Sequence, residues 1–253
     1  MRVFALSDIH SDHEHNRRWV AELSHSDYRA DLLILAGDVA DSLSRLGWTL
    51  AQFAQRFAHV LYVPGNHDLW VHRERTVSNS LEKYQQVCAV VVEAGASLQA
   101  WQRDGLSVVP LLGWYDYSFG EPSAELRQVW MDFHACRWPP GWSESHVAAH
   151  FANLNALPAT PATGKVISFS HFLPRIDVMP SYIPAAKRML YPVLGSWQLD
   201  SQLRQLGSTL HVYGHSHVNQ RIDIDGVTYI NNAFGYPSET RITAKQLLCI
   251  HTL

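Results

Sequence analysis

The sequence predicts an α/β fold with mixed β-sheets, and three observations support this prediction. Five short apolar runs, rich in β-branched or aromatic residues, each end abruptly in polar residues, as buried strands do. Helix-like segments separate the first three runs, which gives the β-α-β-α-β order of a parallel sheet. Two Asp-Gly pairs between later apolar runs indicate hairpins, so antiparallel strands are expected as well.

The elements follow in chain order. The apolar runs place strands at residues 3–6, 32–36, 60–63, 166–169 and 210–213. Helix-like segments lie at about 14–24, 43–57, 143–156 and 199–206. The hairpin turns are expected at Asp104-Gly105 and Asp225-Gly226. Asp41 is expected to cap the second helix, which continues through Ser42 and Leu46, with a role beside the functional site as the alternative.

The length of 253 residues predicts a single domain over residues 1–253. Within it we expect an aromatic-rich insertion at about 114–164 and a proline-rich rim loop at about 172–197. Core packing is the favoured role for the aromatic side chains, and a wall over the functional site is the alternative. The cationic side chains of the rim loop are expected to be solvated, with a phosphate contact as the alternative; they are Arg175, Lys187 and Arg188.

Composition excludes several classes of protein. The net charge of −3 indicates no broad basic surface for duplex nucleic acid. The longest aliphatic run, at residues 87–92, is too short to span a membrane. Cys88, Cys136 and Cys249 are far apart in sequence, which argues against a disulfide framework or a thiolate zinc site and favours the cytoplasm. The 15 histidines raise the question of metal binding.

Polar residues suited to metal binding follow all five predicted strands. Because sites in open α/β sheets form at the carboxyl ends of strands, we expect these residues to converge. Imidazole, carboxylate and amide groups without thiolate suit Mn, Fe or Zn, and the number of ligands suits two ions that share a carboxylate. Three glycines beside them would allow sharp turns and close approach: Gly37, Gly65 and Gly214. The candidates are Asp8, His10, Asp38, Asn66, His67, His171, His215 and His217.

The patterns D-x-H, G-D, G-N-H-D, a single H and G-H-x-H, in this order, resemble the calcineurin-like metallophosphoesterases. The resemblance extends from residue 8 to residue 217, and it departs from the common pattern at Ser170, where many members have glycine. It implies two packed sheets flanked by helices, an αββα sandwich. It also implies that His67 lies unligated beside the substrate and that Asp68 orients it. The implied ligands are Asp8, His10 and His217 for one metal, Asn66, His171 and His215 for the other, and Asp38 as the bridge.

The function expected from this resemblance is hydrolysis of phosphate esters, with phosphodiesters favoured. A metal-bridging hydroxide would attack phosphorus while His67 protonates the leaving oxygen as general acid. The expected partner is a small phosphorylated substrate, without duplex nucleic acid or membrane. A phosphomonoesterase acting on a protein or small metabolite is the alternative, and a non-catalytic binding scaffold is a further one. His13 and His72 are candidates for the rim of the site, whereas residues 231–235 are expected to be structural.

Overall fold

The computed structural model describes residues 1–74, 76–157 and 164–253. Part of the predicted insertion at 114–164, residues 158–163, lies outside the described residues. Among the residues that are described, no helix is long and apolar enough to cross a membrane. The single-domain organisation stays a prediction.

In the part of the chain that is described, ten strands form two sheets, one of four and one of six strands. The first has the order β10-β1-β2-β3, and the second the order β4-β5-β6-β7-β9-β8. The bounds are β1 Arg2–Leu6, β2 Leu32–Ala36, β3 His59–Val63, β4 Trp101–Arg103, β5 Leu106–Pro110, β6 Lys165–Phe169, β7 Leu210–Tyr213, β8 Gln220–Ile224, β9 Val227–Asn231 and β10 Leu248–Thr252. All five strands predicted from the apolar runs are present.

Strand directions confirm the predicted mixture of parallel and antiparallel pairing. Strands β1, β2 and β3 run parallel, as do β5, β6, β7 and β9. The turns at Asp104-Gly105 and Asp225-Gly226 join the antiparallel pairs β4–β5 and β8–β9, with positive φ at all four turn residues. Strand β10 adds an antiparallel edge to β1. Consequently the parallel strands of each sheet deliver their following loops to one edge.

Helices cover the outer faces of the two sheets. Helices α1, α2, α6 and α7 correspond to predicted segments with shifted ends, whereas α3 contains the aliphatic run at 87–92, for which the sequence predicts no element. Val87 and Val91 in that run are buried while Val92 is 71% exposed, so the helix buries only one side of an aliphatic sequence. The bounds are α1 Glu14–Glu22, α2 Leu43–Ala54, α3 Ser80–Glu93, α4 Ala124–Val129, α5 Asp132–Ala135, α6 Glu144–Asn153 and α7 Trp197–Gln205.

An aliphatic layer fills the space between the two sheets. Alternate residues of each strand point into it, among them Ile34 of β2, Ile167 of β6 and Val212 of β7, all fully buried. The residues between them face the helices: Leu33 and Leu35 of β2, for example, pack against α2 and α3. Each sheet is therefore buried on both faces, which confirms the αββα sandwich and explains why its strands are apolar runs without alternation.

Candidate metal centre

The loops after β1, β2, β3, β6 and β7 bring the predicted polar residues together at the carboxyl edge of the strands. Much of the backbone here lies in the left-handed region, which costs a residue with a side chain about 1–2 kcal/mol. Asp and His tolerate this region better than β-branched residues do. The residues with such φ angles are Asp8 (52°), His10 (43°), Asp38 (52°), His215 (67°) and His217 (52°). This clustering of strained residues marks the edge as a functional site.

One group of buried side chains combines two carboxylates and two imidazoles. It consists of Asp8, His10, Asp38 and His217, each of which offers one donor atom within 4.8 Å of the others. The Nε2 atoms of His10 and His217 are 3.1 Å apart. Burial alone would raise the pKa of Asp8, but the imidazoles of His217 and His171 lower it to about 2, so this carboxylate is anionic at neutral pH.

A second group shares Asp38 with the first and adds His171 and His215. The amide oxygen of Asn66 also lies here, 3.1 Å from the Nε2 atom of His171. On its other side, Asn66 donates from its Nδ2 atom to the carboxylate of Asp132, so its oxygen is left to face the imidazoles. The two groups together contain all seven side chains predicted as metal ligands.

Hydrogen bonds on the far side of three imidazoles determine which nitrogen faces inward. The Nδ1 atom of His171 lies 2.9 Å from the carbonyl oxygen of Ala36, and the Nε2 atom of His215 lies 3.0 Å from that of Val193. The Nδ1 atom of His217 lies 2.7 Å from the Glu239 carboxylate. In a neutral ring, a nitrogen that donates outward leaves its partner with a lone pair for a metal, which takes the place of the second proton. Buried anionic carboxylates and inward lone pairs therefore fit a pair of divalent cations.

Two of the predicted glycines are needed for different reasons. Gly37 has a φ of 82°, and a Cβ atom on it would lie 2.5 Å from the Nδ1 atom of His171. Gly214 has no positive φ, but a Cβ atom there would lie 2.8 Å from both the Asp8 carboxylate and the Ala36 carbonyl oxygen. At Gly214, close packing against these atoms excludes a side chain, whereas the backbone conformation does not require glycine.

His67 lies beside the two groups, with its Nδ1 atom 2.9 Å from the carboxylate of Asp41. The expectation that Asp68 orients His67 is therefore wrong, and so is the expectation that Asp41 caps a helix, since Ser42 is the cap of α2. The Asp68 carboxylate instead accepts hydrogen bonds from the backbone amides of Gly65, Asp38, Val39 and Ala40. Asp68 thus holds the two loops together, and Asp41 contacts the imidazole. Burial alone would lower the pKa of His67, but the carboxylates of Asp38 and Asp41 raise it.

Several residues at the site carry no local sequence signal. The ring of Trp70 lies 3.5 Å from that of His67, and the Tyr236 hydroxyl lies 3.3 Å from the Nε2 atom of His67. Glu239 follows Tyr236 and joins His217 to the backbone amide of Tyr236. Asp132 accepts hydrogen bonds from Asn66, Trp70 and Trp130. All four lie outside the strand-end motifs or belong to other elements, so only the folded chain identifies them.

The two unusual segments take different positions. In the aromatic-rich insertion, Trp114 and Tyr115 are buried in the core, as favoured, but the ring of Trp130 lies 5.7 Å from that of His215 and faces the site. In the rim loop, Arg175 is neither solvated nor placed for phosphate: it is buried and forms ion pairs with Asp177 and Asp225. Residues 231–235 are buried within the fold, where Asn231 and Asn232 bond to neighbouring backbone, as expected of structural residues.

An αββα sandwich with two buried groups of carboxylates and imidazoles at one strand edge, sharing one carboxylate, defines a class of metal-dependent hydrolases. Comparison with protein families matches residues 1–219 to the calcineurin-like phosphoesterases. The chain belongs to this family and is a phosphoric ester hydrolase.

Two of the matches are to PptH, one to its sequence and one to its crystal structure. The [acyl-carrier-protein] phosphodiesterase PptH of Mycobacterium tuberculosis is 28% identical over 267 residues, which cover 94% of this chain and 79% of the relative. The crystal structure of Phosphopantetheinyl Hydrolase (PptH) from the same organism superposes with a TM-score of 0.78 at 25% identity, covering 98% of this chain and 95% of that one. The similarity therefore extends over nearly the whole fold.

Proposed function

We propose that this protein is a metal-dependent phosphodiesterase. The observation that carries the proposal is the position of His67, whose Nδ1 atom is held by Asp41 while the ring lines the same cavity as Asp38, Asn66, His215 and His217. A proton donor is thereby fixed beside a site for two cations. Diesters with poor leaving groups benefit most from such a donor, because the departing oxygen needs a proton.

Seven side chains would bind the two cations. Asp8, His10 and His217 would bind one cation, Asn66, His171 and His215 the other, and Asp38 both. When bound, the two cations would lower the pKa of bound water toward neutrality and neutralise the charge that develops on the phosphate. Mn, Fe and Zn are the ions best suited to this set of nitrogen and oxygen donors.

His67 would hold and deliver the proton. Its Nδ1 proton is retained by the Asp41 carboxylate, so a protonated ring presents its second proton at Nε2, the nitrogen nearest the Tyr236 hydroxyl. The raised pKa of His67 keeps more of the protonated form at neutral pH than an ordinary histidine would have. Trp70 packs on the ring and limits its rotation.

The relative suggests that the phosphodiester is attached to a protein. PptH is named for acyl-carrier protein and for a phosphopantetheinyl group. We propose the same substrate class for this chain: a carrier protein bearing a phosphopantetheinyl group, in place of the small phosphorylated substrate expected from the sequence. The three cysteines are free, which suits a reducing cytoplasm, the proposed location of the reaction.

A substrate panel tests the proposal. Protein loaded with Mn, Fe or Zn is assayed on bis-p-nitrophenyl phosphate, on p-nitrophenyl phosphate, and on a phosphopantetheinyl carrier protein followed by intact mass. We expect turnover of the diester above the monoester, and loss of the phosphopantetheinyl mass from the carrier. Faster turnover of the monoester would support the phosphomonoesterase alternative. No turnover with any metal would support the binding scaffold.

A further inference from the structure

Two cavities adjoin the candidate metal centre, and the side chains of His67 and Tyr236 line both. One, which we call the apolar cavity, has a volume of about 230 Å³. The other, which we call the polar cavity, has a volume of about 350 Å³. The hydrogen-bonded pair of His67 and Tyr236 therefore forms a partition between them.

The lining of the apolar cavity combines two kinds of side chain. Four are candidate metal ligands, namely Asp38, Asn66, His215 and His217, and the polar residues Ser216 and Glu239 lie with them. The apolar part of the lining, which we call its wall, consists of Trp130, Leu190 and Leu194. Trp130 is fixed there by a hydrogen bond from its Nε1 atom to Asp132, and its ring meets that of His215 edge to face. A group bound at the metal centre would thus have hydrocarbon beside it.

The polar cavity lies on the other side of the partition. Its lining includes the Asp41 carboxylate that holds His67, together with Asp12, His13 and Arg73. Arg73 is 55% exposed and lies 3.1 Å from Asp41, while His13 is exposed and its ring meets that of Tyr236 at 5.5 Å. His13 precedes α1 and makes no side-chain capping hydrogen bond to that helix, so its ring can contact a group bound in the cavity.

A phosphodiester has one substituent that departs and one that the phosphate retains. We propose that the retained substituent lies along the Trp130–Leu190–Leu194 wall of the apolar cavity and that the departing one leaves through the polar cavity. The proposal rests on the proposed function. In the reaction, water loses one proton to solvent as its oxygen bonds to phosphorus, the bond from phosphorus to the departing oxygen breaks, and that oxygen takes the Nε2 proton of His67, which solvent then replaces.

The placement follows from what each cavity contains. A phosphate at the metal centre keeps its retained arm beside the candidate ligands, of which four line the apolar cavity and one, His10, lines the polar cavity. The departing oxygen must reach the Nε2 atom of His67, which lies beside the Tyr236 hydroxyl, and the side chains of His67 and Tyr236 also line the polar cavity. The retained arm would be a linear, uncharged chain that buries methylene groups on leucine and indole. The departing arm would be a hydrated alcohol, such as a serine side chain on a protein surface.

The test uses two diesters with the same departing group, methyl p-nitrophenyl phosphate and hexyl p-nitrophenyl phosphate. We expect the metal-loaded protein to prefer the hexyl ester, and Leu190→Ala to reduce the hexyl-to-methyl ratio of kcat/KM about fivefold to tenfold. Leu154→Ala, at a leucine that is 48% exposed, is the matched control and should leave the ratio unchanged. Leu190→Met, which conserves volume, separates loss of the wall from misfolding.

The departing arm is tested by comparing His13→Ala with the control variant His15→Ala. His15 lies two residues from His13 and is also exposed. Because the two esters have the same departing group, His13→Ala should change kcat/KM for both by the same factor. A selective loss of the hexyl ester in His13→Ala, or an unchanged ratio in Leu190→Ala, would overturn the assignment of the arms.

Binding of the monoester products distinguishes failure of this inference from failure of the proposed function. Calorimetry should show hexyl phosphate binding about fivefold to tenfold more tightly than methyl phosphate, with the difference lost in Leu190→Ala. This measurement needs no turnover. Absence of diester hydrolysis would contradict the proposed function alone, whereas equal binding of the two phosphates would contradict the two-cavity assignment.

Discussion

The same strands build two regions of opposite character. Their middles form the aliphatic layer between the sheets, where Ile34, Ile167 and Val212 are fully buried. Their carboxyl ends, a few residues further along, hold Asp38, His171 and His215, which are also buried. The layer has regular extended backbone and apolar contacts, whereas the edge has positive φ angles and buried ionisable groups.

The contrast indicates that the aliphatic layer stabilises the fold and that the carboxyl edge performs the chemistry. Apolar burial in the layer contributes roughly 25 cal/mol per Å² of surface removed from water. At the edge, each left-handed residue and each buried charge opposes folding unless a partner offsets it. The edge can be maintained because the layer stabilises the strands from which its loops emerge.

The largest expected effect comes from Asp38→Asn, which removes the one carboxylate common to both groups of donors. We expect loss of both metals and a decrease in diester turnover of about 10³-fold or more, because transition-state stabilisation worth several kcal/mol depends on the cations. Metal analysis of the purified variant, with circular dichroism to verify folding, provides the measurement. Two ions retained per chain would contradict the role of Asp38 as a shared ligand.

His67→Ala tests a residue at the strand edge that is expected to act on the substrate without binding a metal. Hydrolysis of an alkyl diester should fall about 10²- to 10⁴-fold because the departing alkoxide loses its proton donor. A p-nitrophenyl ester should be much less affected, since its leaving group needs little protonation, and metal content should be unchanged. An equal loss on both esters would argue against a role as general acid.

Ile34→Ala probes the aliphatic layer. Ile34 is fully buried between the sheets, so its truncation should lower the free energy of unfolding by about 2–5 kcal/mol. Urea denaturation measures this change, and Val92→Ala, at a valine that is 71% exposed, is the control with little expected effect. Metal content of the folded Ile34→Ala protein should remain at the wild-type level. A large loss of metal without loss of stability would contradict the division between layer and edge.

The smallest effect concerns His211, a histidine in the middle of β7, the strand whose following loop supplies His215 and His217. Burial lowers the pKa of His211 to about 3, and its ring nitrogens lie 2.7 and 3.0 Å from the hydroxyls of Ser168 and Ser170. With its ordinary value near 6.5 in the unfolded chain, the stability due to neutral His211 is complete above pH 6.5 and is lost as the pH falls toward 3.

The corresponding slope is about 1.4 kcal/mol per pH unit for one proton. Urea denaturation of metal-free protein between pH 7 and pH 5 should show this dependence, and His211→Gln should reduce it by one proton's contribution. A slope identical in the two proteins would mean that His211 does not oppose protonation in the fold.

The sequence predicted most of the fold, and its failures have physical causes. Buried parallel strands are apolar throughout and end in polar residues, so all five were visible as runs. The sequence does not predict helix α3 because the residues of its aliphatic run, Val87 to Val92, do not alternate with polar ones on a regular helical pattern, and two of them, Ala89 and Val92, are exposed. Asp41 resembled a helix cap because it stands one residue before Ser42, the true cap.

The amino-acid sequence alone identifies the donors and their order, because each donor lies directly after its strand and parallel strands end at a common edge. Which side chains meet across loops is visible only in the folded chain: Asp41, not Asp68, contacts His67, and Glu239 contacts His217. The placement of Trp130 and Tyr236 around the site was likewise set by the fold. Strand ends are local features of the chain and can be recognised from a few neighbouring residues. The contacts around the site, in contrast, join segments distant in sequence, and these segments meet only as the packing of sheets and helices allows.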